Sequence, residues 1–349
     1  MTVLAQALAW VERGRVPDFV IRQGIRGLVR SRLRELRVGS PAEAATRDER
    51  FVALMDAAEV APLPALANQQ HYEVPAEFFG AVLGPHRKYS CCLYAPGCES
   101  LEAAEAAALA VTCERAGIDN DQDILELGCG WGSLTLWIAA RYPHSRVTAV
   151  SNSHSQRAYI ETQARARGLD NLRIITCDMN AFAPDRQFDR IVSVEMFEHM
   201  RNWRTLLGRV ARWLRSDGTF FMHVFCHRSV AYAYEDHGPG DWMSRHFFSG
   251  GMMPSDQLPS RFQQHLRLQR QWRWDGRHYQ RTAEAWLANM DARRALLWPI
   301  LERTYGTAEA RRWWSRWRMF FMACAEMWGY DAGRQWGVGH YLFGSQLQS

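Results

Sequence analysis

The chain has 349 residues and a formal net charge of +5, and 47% of its residues are hydrophobic. Such a composition is typical of a globular protein with one sizeable core, and it excludes an integral membrane protein. No apolar stretch approaches the ~20 residues of a membrane-spanning helix, and the N-terminus lacks the order of a secretory signal. With eight cysteines and no CxxC pair, the sequence predicts a cytoplasmic protein with reduced thiols.

The first 75 residues have a helical pattern, with a polar, alanine-rich break near Gly39–Arg47. Arginines are dense between Arg13 and Arg37, on one or two amphipathic helices. The favoured interpretation is a pair of helices packed on the rest of the protein, and the alternative is weak peripheral contact with anionic lipid. Lys88 is the only lysine, and this bias toward arginine indicates a GC-rich, bacterial genome.

From Asp123 onward, short apolar runs alternate with amphipathic segments, which is the pattern of a parallel sheet flanked by helices. Predicted strands are Asp123–Leu127, Arg146–Val150, Leu172–Thr176, Ile191–Val194 and Thr219–Phe225, with helices at Trp131–Ala140, Ser155–Ala166 and Trp203–Leu214.

The regular alternation of predicted strands and helices ends after Cys226. Tyr232–Gly251 has no clear period and predicts an ordered loop or short-helix cover. A strand is predicted at Arg267–Trp274, helices at Thr282–Asp291 and Ala308–Met327, and a closing strand at Gly337–Phe343. Because no repeat or linker is visible, we expect one compound domain: a helical extension (1–75), a core (76–225) and a cover with C-terminal helices and closing strands (226–349).

A glycine-rich turn directly follows the first predicted strand. Its glycines, Gly128, Gly130 and Gly132, allow tight turning and close approach to a ligand. The spacing is GxGxG rather than the GxGxxG of dinucleotide enzymes, so it indicates S-adenosylmethionine, with Glu126 facing the charged methionine end. The sequence thus predicts an α/β, class I (Rossmann-like) methyltransferase with a seven-stranded, mostly parallel sheet, an N-terminal helical extension and a helical or loop cover.

Polar residues follow the next two strands, where the ribose and adenine of such a cofactor lie. Short polar side chains after the second strand, with a glutamine behind them, are candidates for the ribose. A carboxylate after the third strand can accept from the adenine amino group. These candidates are Ser151, Asn152, Ser153, Gln156, Asp178 and Met179.

Three segments together carry a family resemblance: Gly128–Gly132, Tyr89-Ser90-Cys91 and Met196–His199. They resemble the cyclopropane-fatty-acyl-phospholipid synthase superfamily and, within it, the alkaloid N-methyltransferases of the coclaurine N-methyltransferase type. The resemblance runs from about Val16 to the last strand, through segments such as Tyr72–Pro75, Cys113–Ala116 and Gly276–Tyr279. It implies that Tyr89 and Ser90 bind the cofactor and that Glu195, Glu198 and His199 form an amine site.

The residue types suit N-methylation. Glu195, Glu198 and His199 follow the fourth predicted strand, at the sheet edge where ligands bind, and would share one face if the chain turned helical there. An aliphatic amine with a pKa of ~10.4 must lose its proton before it can attack, which costs roughly 4 kcal/mol near neutral pH. We assign His199 and Glu198 to the proton relay and Glu195 to holding the cation.

The resemblance leaves a lipid alternative open. The lipid enzymes use bicarbonate as a base, and their anion site resembles Cys91, Glu198, His223 and Tyr279. Against that reading stands Glu195, where the lipid enzymes have a small glycine, since a carboxylate beside an acyl chain would be costly. Glu105 also fits the amine subgroup, and the aromatic residues Phe321 and Trp328 are candidates to clasp a planar substrate.

We therefore expect an S-adenosylmethionine-dependent N-methyltransferase of a small alkaloid-like amine, of tetrahydroisoquinoline or arylethylamine type, that releases S-adenosylhomocysteine. A lipid-modifying enzyme is the second reading, and a cofactor-binding protein without turnover is the third. No basic stripe or metal-ligand spacing indicates a nucleic-acid partner or a metal. The candidate oligomer is a homodimer.

Overall fold

The computed structural model describes residues 3–62 and 74–345. One seven-stranded sheet forms its centre, with the strand order β3-β2-β1-β4-β5-β9-β8. Strands β1 to β5 run parallel, and β9 runs antiparallel to both neighbours, which confirms the predicted mostly parallel α/β sheet. Its strands are β1 Asp123–Leu127, β2 Arg146–Ser151, β3 Leu172–Thr176, β4 Phe188–Val194, β5 Leu214–His227, β8 Leu266–Asp275 and β9 Trp336–Ser345.

Helices cover both faces of this sheet and build the N-terminal and C-terminal parts. The helices are α1 Val3–Glu12, α2 Asp18–Glu35, α3 Pro41–Asp56, α4 Ala76–Val82, α5 Leu101–Ala116, α6 Ser133–Arg141, α7 His154–Ala166, α8 Trp203–Trp213, α9 Trp242–His246, α10 Gly276–Ala292, α11 Arg294–Tyr305 and α12 Thr307–Gly329. Two short strands, β6 Tyr232–Ala233 and β7 Met252–Met253, pair outside the main sheet. The Tyr72-Glu73 part of the resemblance lies outside the described residues.

Several predicted boundaries were wrong. The expected break near Gly39–Arg47 is helical from Pro41, because the Ser40 hydroxyl accepts from the Glu43 N–H at 3.2 Å and so caps α3. The helix expected from Thr282 begins at Gly276, where Asp275 caps it. Helix α11 was not predicted, whereas Tyr232–Gly251, predicted as an ordered loop or short-helix cover, does contain the short helix α9, together with the two-residue strand β6.

The arginine-rich helix α2 packs on the C-terminal helix α12. Arg22 donates to Glu284 and Glu326, on α10 and α12, at 2.6 and 3.0 Å. Asp18 in turn accepts from Arg318 of α12 at 2.7 Å. The favoured interpretation of helices packed on the protein is therefore what the structure shows. Within residues 3–62 and 74–345, no helix is both long and apolar enough to cross a membrane.

Candidate active site

The glycine-rich turn lies at the carboxyl end of β1. Gly128, Gly130 and Gly132 all have positive φ, at 79°, 51° and 77°. A Cβ on Gly128 would lie 2.5 Å from Met196, and one on Gly132 would lie 2.6 Å from Ile160, so both positions need glycine. Gly130, in contrast, faces open space within 4 Å, which leaves its backbone approachable by a ligand.

Polar groups at the ends of β2 and β3 lie beside this turn. Ser151 bonds to Gln156 Oε1 at 2.6 Å, and Ser153 caps α7. The Nε2 of Gln156 is buried and, among the described residues, has no hydrogen-bond partner. Asp178 accepts from the Asn180 N–H at 2.8 Å, and Met179 next to it is buried. Asn152 is half-buried at the end of β2.

Glu126, the last acidic residue before the glycines, is buried. Its carboxylate accepts a short hydrogen bond from the Thr135 hydroxyl of α6. Burial raises the pKa of Glu126 to about 7, so near neutrality its charge responds to a nearby cation. These polar groups fit adenosine and a sulfonium methionine. They are the unpartnered Nε2 of Gln156, the open backbone at Gly130, the serine hydroxyls and the carboxylates of Glu126 and Asp178.

Glu195 follows β4 and has a positive φ of 48°, unusual for a residue with a side chain. Its N–H donates to the His223 carbonyl at 2.9 Å. Its Oε1 accepts from the Cys91 N–H at 2.9 Å and lies 3.1 Å from His223 Nε2. Its Oε2 accepts from the Tyr279 hydroxyl at 2.7 Å. Three polar contacts from three different parts of the chain thus fix one carboxylate.

Burial is the largest influence on the ionisation of this cluster. It raises the pKa of Glu195, whereas the positive charge of Lys88 acts in the opposite direction. Burial holds the pKa of His223 well below its usual range and that of Tyr279 well above it, so both side chains are neutral near neutral pH.

His199 and Glu198 lie in a short 3₁₀ helix, Phe197–His199, rather than in an α-helix continuous with Glu195. The expected shared face of all three was therefore wrong. His199 reaches the cavity described next, and burial lowers its pKa to about 4. Glu198 does not line that cavity: its Oε1 accepts from the Phe225 N–H at 2.7 Å, and its Oε2 is buried without a partner among the described residues.

A cavity of about 1200 Å³ opens from Glu195 and His199 toward the N-terminal helices. Tyr279 and Trp328 form part of its wall, with their rings stacked at 4.7 Å. Tyr89 also lines it, with its ring between Phe79 and Trp286. The opposite side, which we call the roof, comes from α1 and α2 and is mainly apolar, through Leu8, Val11, Val20, Gly24, Ile25 and Leu28. Ser31, Arg32 and Glu35 of α2 add polar groups to it.

Four predicted substrate residues do not line this cavity: Glu105, Cys91, His223, which lies behind Glu195, and Phe321. Glu105 is buried, and its carboxylate accepts from the N–H groups of Gly84, His86 and Lys88 at 2.8–3.1 Å, so it supports the turn before Tyr89. Cys91 contributes its N–H to Glu195, whereas its thiol is buried and contacts the Cys92 carbonyl. Phe321 lies behind the wall, against Trp286.

Some residues at the site were missed in the sequence. Lys88 is buried, and its Nζ donates to the Ser90 hydroxyl and to the Cys91 carbonyl. Lys88 is the only lysine of the chain, which could have marked this position, but the pattern was interpreted only as a genomic bias toward arginine. His340 of β9 bonds to His223, and no local motif marks it. The cavity roof in α1 and α2 was seen only as an amphipathic pattern.

The sheet order, the glycine turn after β1 and the acidic cluster after β4 define a class I S-adenosylmethionine-dependent methyltransferase. The more particular assignment comes from comparison with known proteins. Residues 64–332 match the family model described as mycolic acid cyclopropane synthetase. The chain belongs to this family.

Two of its relatives carry different activities in their names. The (S)-coclaurine N-methyltransferase of Thalictrum flavum subsp. glaucum is 35% identical over 352 residues, which cover 98% of this chain and 96% of that protein. The cyclopropane-fatty-acyl-phospholipid synthase of Escherichia coli K12 is 30% identical over 243 residues, 69% of this chain and 59% of that protein.

Among solved structures, coclaurine N-methyltransferase bound to N-methylheliamine and SAH superposes with a TM-score of 0.95 at 34% identity. That match covers 99% of this chain and 100% of the other.

Proposed function

We propose that this enzyme transfers a methyl group to the nitrogen of a small aromatic, alkaloid-like amine. The observation that carries the proposal is the Glu195 carboxylate, fixed by three polar contacts at the wall of a mainly apolar cavity. Hydrogen bonds alone leave a buried carboxylate without a counter-charge, which is costly, and an ammonium group supplies that charge. The coclaurine N-methyltransferase relatives support the same substrate class.

In this proposal the cofactor supplies an electrophilic sulfonium methyl group and leaves as S-adenosylhomocysteine. Glu195 attracts the amine in its ammonium form and orients the nitrogen. His199 lies at the same wall; burial lowers its pKa to about 4, so it is neutral near neutral pH and relays the proton onward rather than holding it, while the negative charge of Glu195 favours the transient imidazolium. The freed lone pair then attacks the methyl carbon in line, so one N–C bond forms, one S–C bond breaks and one proton leaves.

The position of Glu198 changes its proposed part in this relay. Burial and the negative charge of Glu195 hold the pKa of Glu198 well above its usual range. A neutral carboxyl group behind the wall leaves the cluster with a single negative charge, on Glu195, and does not compete with His199 for the proton. We therefore assign proton acceptance to His199 and keep Glu198 as a neutral support of the Phe225 backbone.

The lipid alternative needs an anion site. Three of the four residues that resemble that site, Cys91, His223 and Tyr279, already contact Glu195. A bicarbonate ion among them would compete with the Glu195 carboxylate for the same donors and would be repelled by it. This arrangement supports the amine over the acyl chain.

The cavity supports an aromatic substrate. The stacked Tyr279 and Trp328 rings offer flat apolar surface close to Glu195, and the roof from α1 and α2 is mainly apolar. Aromatic faces favour planar rings and cations.

We further propose a cytoplasmic setting, because all eight cysteines are free thiols, including the adjacent buried Cys91 and Cys92. The three-part organisation (1–75, 76–225, 226–349) and a homodimer remain proposals as well. So does the bacterial origin, for which the arginine bias is the ground.

The test is a paired panel of acceptors. The enzyme with S-adenosylmethionine is incubated with tetrahydroisoquinoline, an arylethylamine and isochroman, in which oxygen replaces the ring nitrogen, and products are identified by mass spectrometry. We expect a gain of one methyl group on the two amines and none on isochroman. Phospholipid vesicles with unsaturated chains form a further arm. Modification of the lipid without modification of either amine would contradict the proposal.

A further inference from the structure

A row of hydrogen bonds connects Glu195 to the protein surface. Arg115 Nη1 lies 2.7 Å from His340 Nδ1, His340 Nε2 lies 3.0 Å from His223 Nδ1, and His223 Nε2 lies 3.1 Å from Glu195 Oε1. The row follows the sheet register, because Val194, His223 and His340 are direct partners across β4, β5 and β9. Of these four residues, only Glu195 has a part in the proposed amine methylation.

The two ends of this row fix its direction. A guanidinium group can only donate, so Arg115 requires His340 Nδ1 to be an acceptor. A neutral imidazole carries one proton, and His340 therefore carries it on Nε2 and donates to His223 Nδ1. By the same reasoning His223 carries its proton on Nε2 and donates to Glu195, whose ionised carboxylate can only accept.

Both rings are neutral. His223 and His340 are fully buried, and burial together with the positive charges of Lys88 and Arg115 holds the pKa of each well below its usual range. If the hydrogen bonds ran in the opposite direction, His340 Nδ1 would carry a proton and would need an acceptor at Arg115, which offers none. A protonated Glu195 would thus meet a donor, not an acceptor, at His223.

The guanidinium of Arg115 lies in a half-buried, aromatic environment. Its guanidinium lies over the rings of Trp272 and Trp274, at 5.0 and 5.7 Å from their centroids. Among the described residues it forms no ion pair, and burial lowers its pKa. A half-buried arginine without a carboxylate loses hydration, so the hydrogen bond to His340 is the polar contact that compensates for it.

We propose that Arg115 and His340 are positioning residues of the methyl transfer: they fix the tautomer of His223, so that it donates to Glu195 and keeps that carboxylate ionised for the amine. This proposal rests on the proposed function. Neither residue touches the cavity, so both act through His223. The wrong tautomer of a histidine is costly to an enzyme that depends on it.

The first test reads the tautomers in the unmodified protein. In protein labelled with [¹⁵N]histidine, long-range ¹H–¹⁵N spectra distinguish a protonated ring nitrogen from a bare one, and the His340→Gln spectrum assigns the signals. We expect His223 and His340 both to carry the proton on Nε2. A proton on Nδ1 of His340 would overturn the proposal, and this readout needs neither amine turnover nor a folded Arg115 variant.

The second test uses substitutions. Arg115→Met should lower kcat by about 10-fold to 100-fold, the effect of one hydrogen bond to an ionised group, and should change the histidine spectrum while S-adenosylhomocysteine binding stays the same. Arg115→Lys, which keeps a donor-only cation, should recover at least part of kcat. Arg294→Met is the matched control, because Arg294 lies over Trp298 and Trp314 without a histidine.

Wild-type kcat in Arg115→Met, or equal losses in the methionine and lysine variants with an unchanged histidine spectrum, would overturn the positioning role. If the wild type methylates no amine, the proposed function fails instead, and the spectra still report the tautomers.

Discussion

Glu195 combines two features that the fold sets independently. Its backbone is strained, with a φ of 48°, at the end of β4, and its carboxylate meets donors from Cys91, His223 and Tyr279. Strained backbone persists where the surroundings over-determine it, and such positions concentrate at functional sites. One side chain thereby faces the cavity as the carboxylate that we propose to bind the amine.

Glu195→Gln tests this charge with little change of shape. Removing the negative charge should lower kcat/KM for an amine by about 100-fold, or ~2.7 kcal/mol, because the ammonium loses its counter-ion. The affinity for S-adenosylhomocysteine, measured by calorimetry, should stay within about 3-fold. Glu302→Gln on α11 is the control and should leave both values unchanged. An unaltered kcat/KM in Glu195→Gln would remove this carboxylate from the amine site.

Glu126 predicts a pH dependence of stability. Its folded-state pKa is about 7, above the ordinary 4.5, so the folded state binds its proton more tightly than the unfolded state. Its contribution to stability is present at pH 4.5 and below and is lost as the pH rises to about 7. Glu126→Gln should therefore gain stability over the wild type at pH 8 relative to pH 5, by about 2–3 kcal/mol.

Urea unfolding of the cofactor-free protein at the two pH values measures this difference. Glu49→Gln, at an exposed site on α3, serves as control. The same Glu126 variant should bind S-adenosylmethionine more weakly, because the cation loses its carboxylate. A pH-independent difference between Glu126→Gln and the wild type would contradict the burial argument.

At the scale of elements, the N-terminal helices line the cavity that we propose as the substrate site. Helix α2 is bound to α12 through Glu326, which accepts from Arg22 and Arg26, and its other face lines the cavity. Helix α1 is attached through Glu12, which accepts from Arg316 at 3.0 Å and from the Trp242 indole at 3.2 Å. These contacts join α1, α9 and α12 around one cavity.

Gly24 in α2 allows the roof to be tested. It lies in mid-helix at the cavity, and a Cβ there would meet nothing within 4 Å. Gly24→Ala should stabilise the protein by about 0.5–1 kcal/mol, since alanine is the better helix former. Gly24→Phe should fill the cavity and raise KM for a bulky benzyl-substituted tetrahydroisoquinoline far more than for tetrahydroisoquinoline itself. Equal effects on both amines would exclude α2 from the substrate site.

At the scale of the whole molecule, the sheet was largely predictable. Strands β1, β2, β3 and β4 combine apolar runs with turn residues at their ends, so their positions follow from local pattern. The glycine spacing identified the cofactor class for the same reason. Helix α11 was missed because Pro299 and mixed polarity obscure its period.

The rest of the site depends on contacts between distant segments. Glu105 is buried because amides of residues 84–88 surround it, and no local pattern shows this. The same holds for Arg115 of α5 and His340 of β9, which are 225 residues apart in the chain and meet only in the folded structure. Residue types near a motif could be predicted, but their hydrogen-bond partners could not.

The most direct test of amine methylation is a competition for one labelled methyl group. The enzyme is given S-adenosylmethionine labelled with ¹³C at its methyl, together with equimolar tetrahydroisoquinoline and unsaturated phospholipid in vesicles, and the products are read by ¹H–¹³C NMR. We predict an N-methyl signal from the amine and no labelled carbon in the lipid. A cyclopropane methylene or branched methyl signal in the lipid, with the amine unlabelled, would contradict the account.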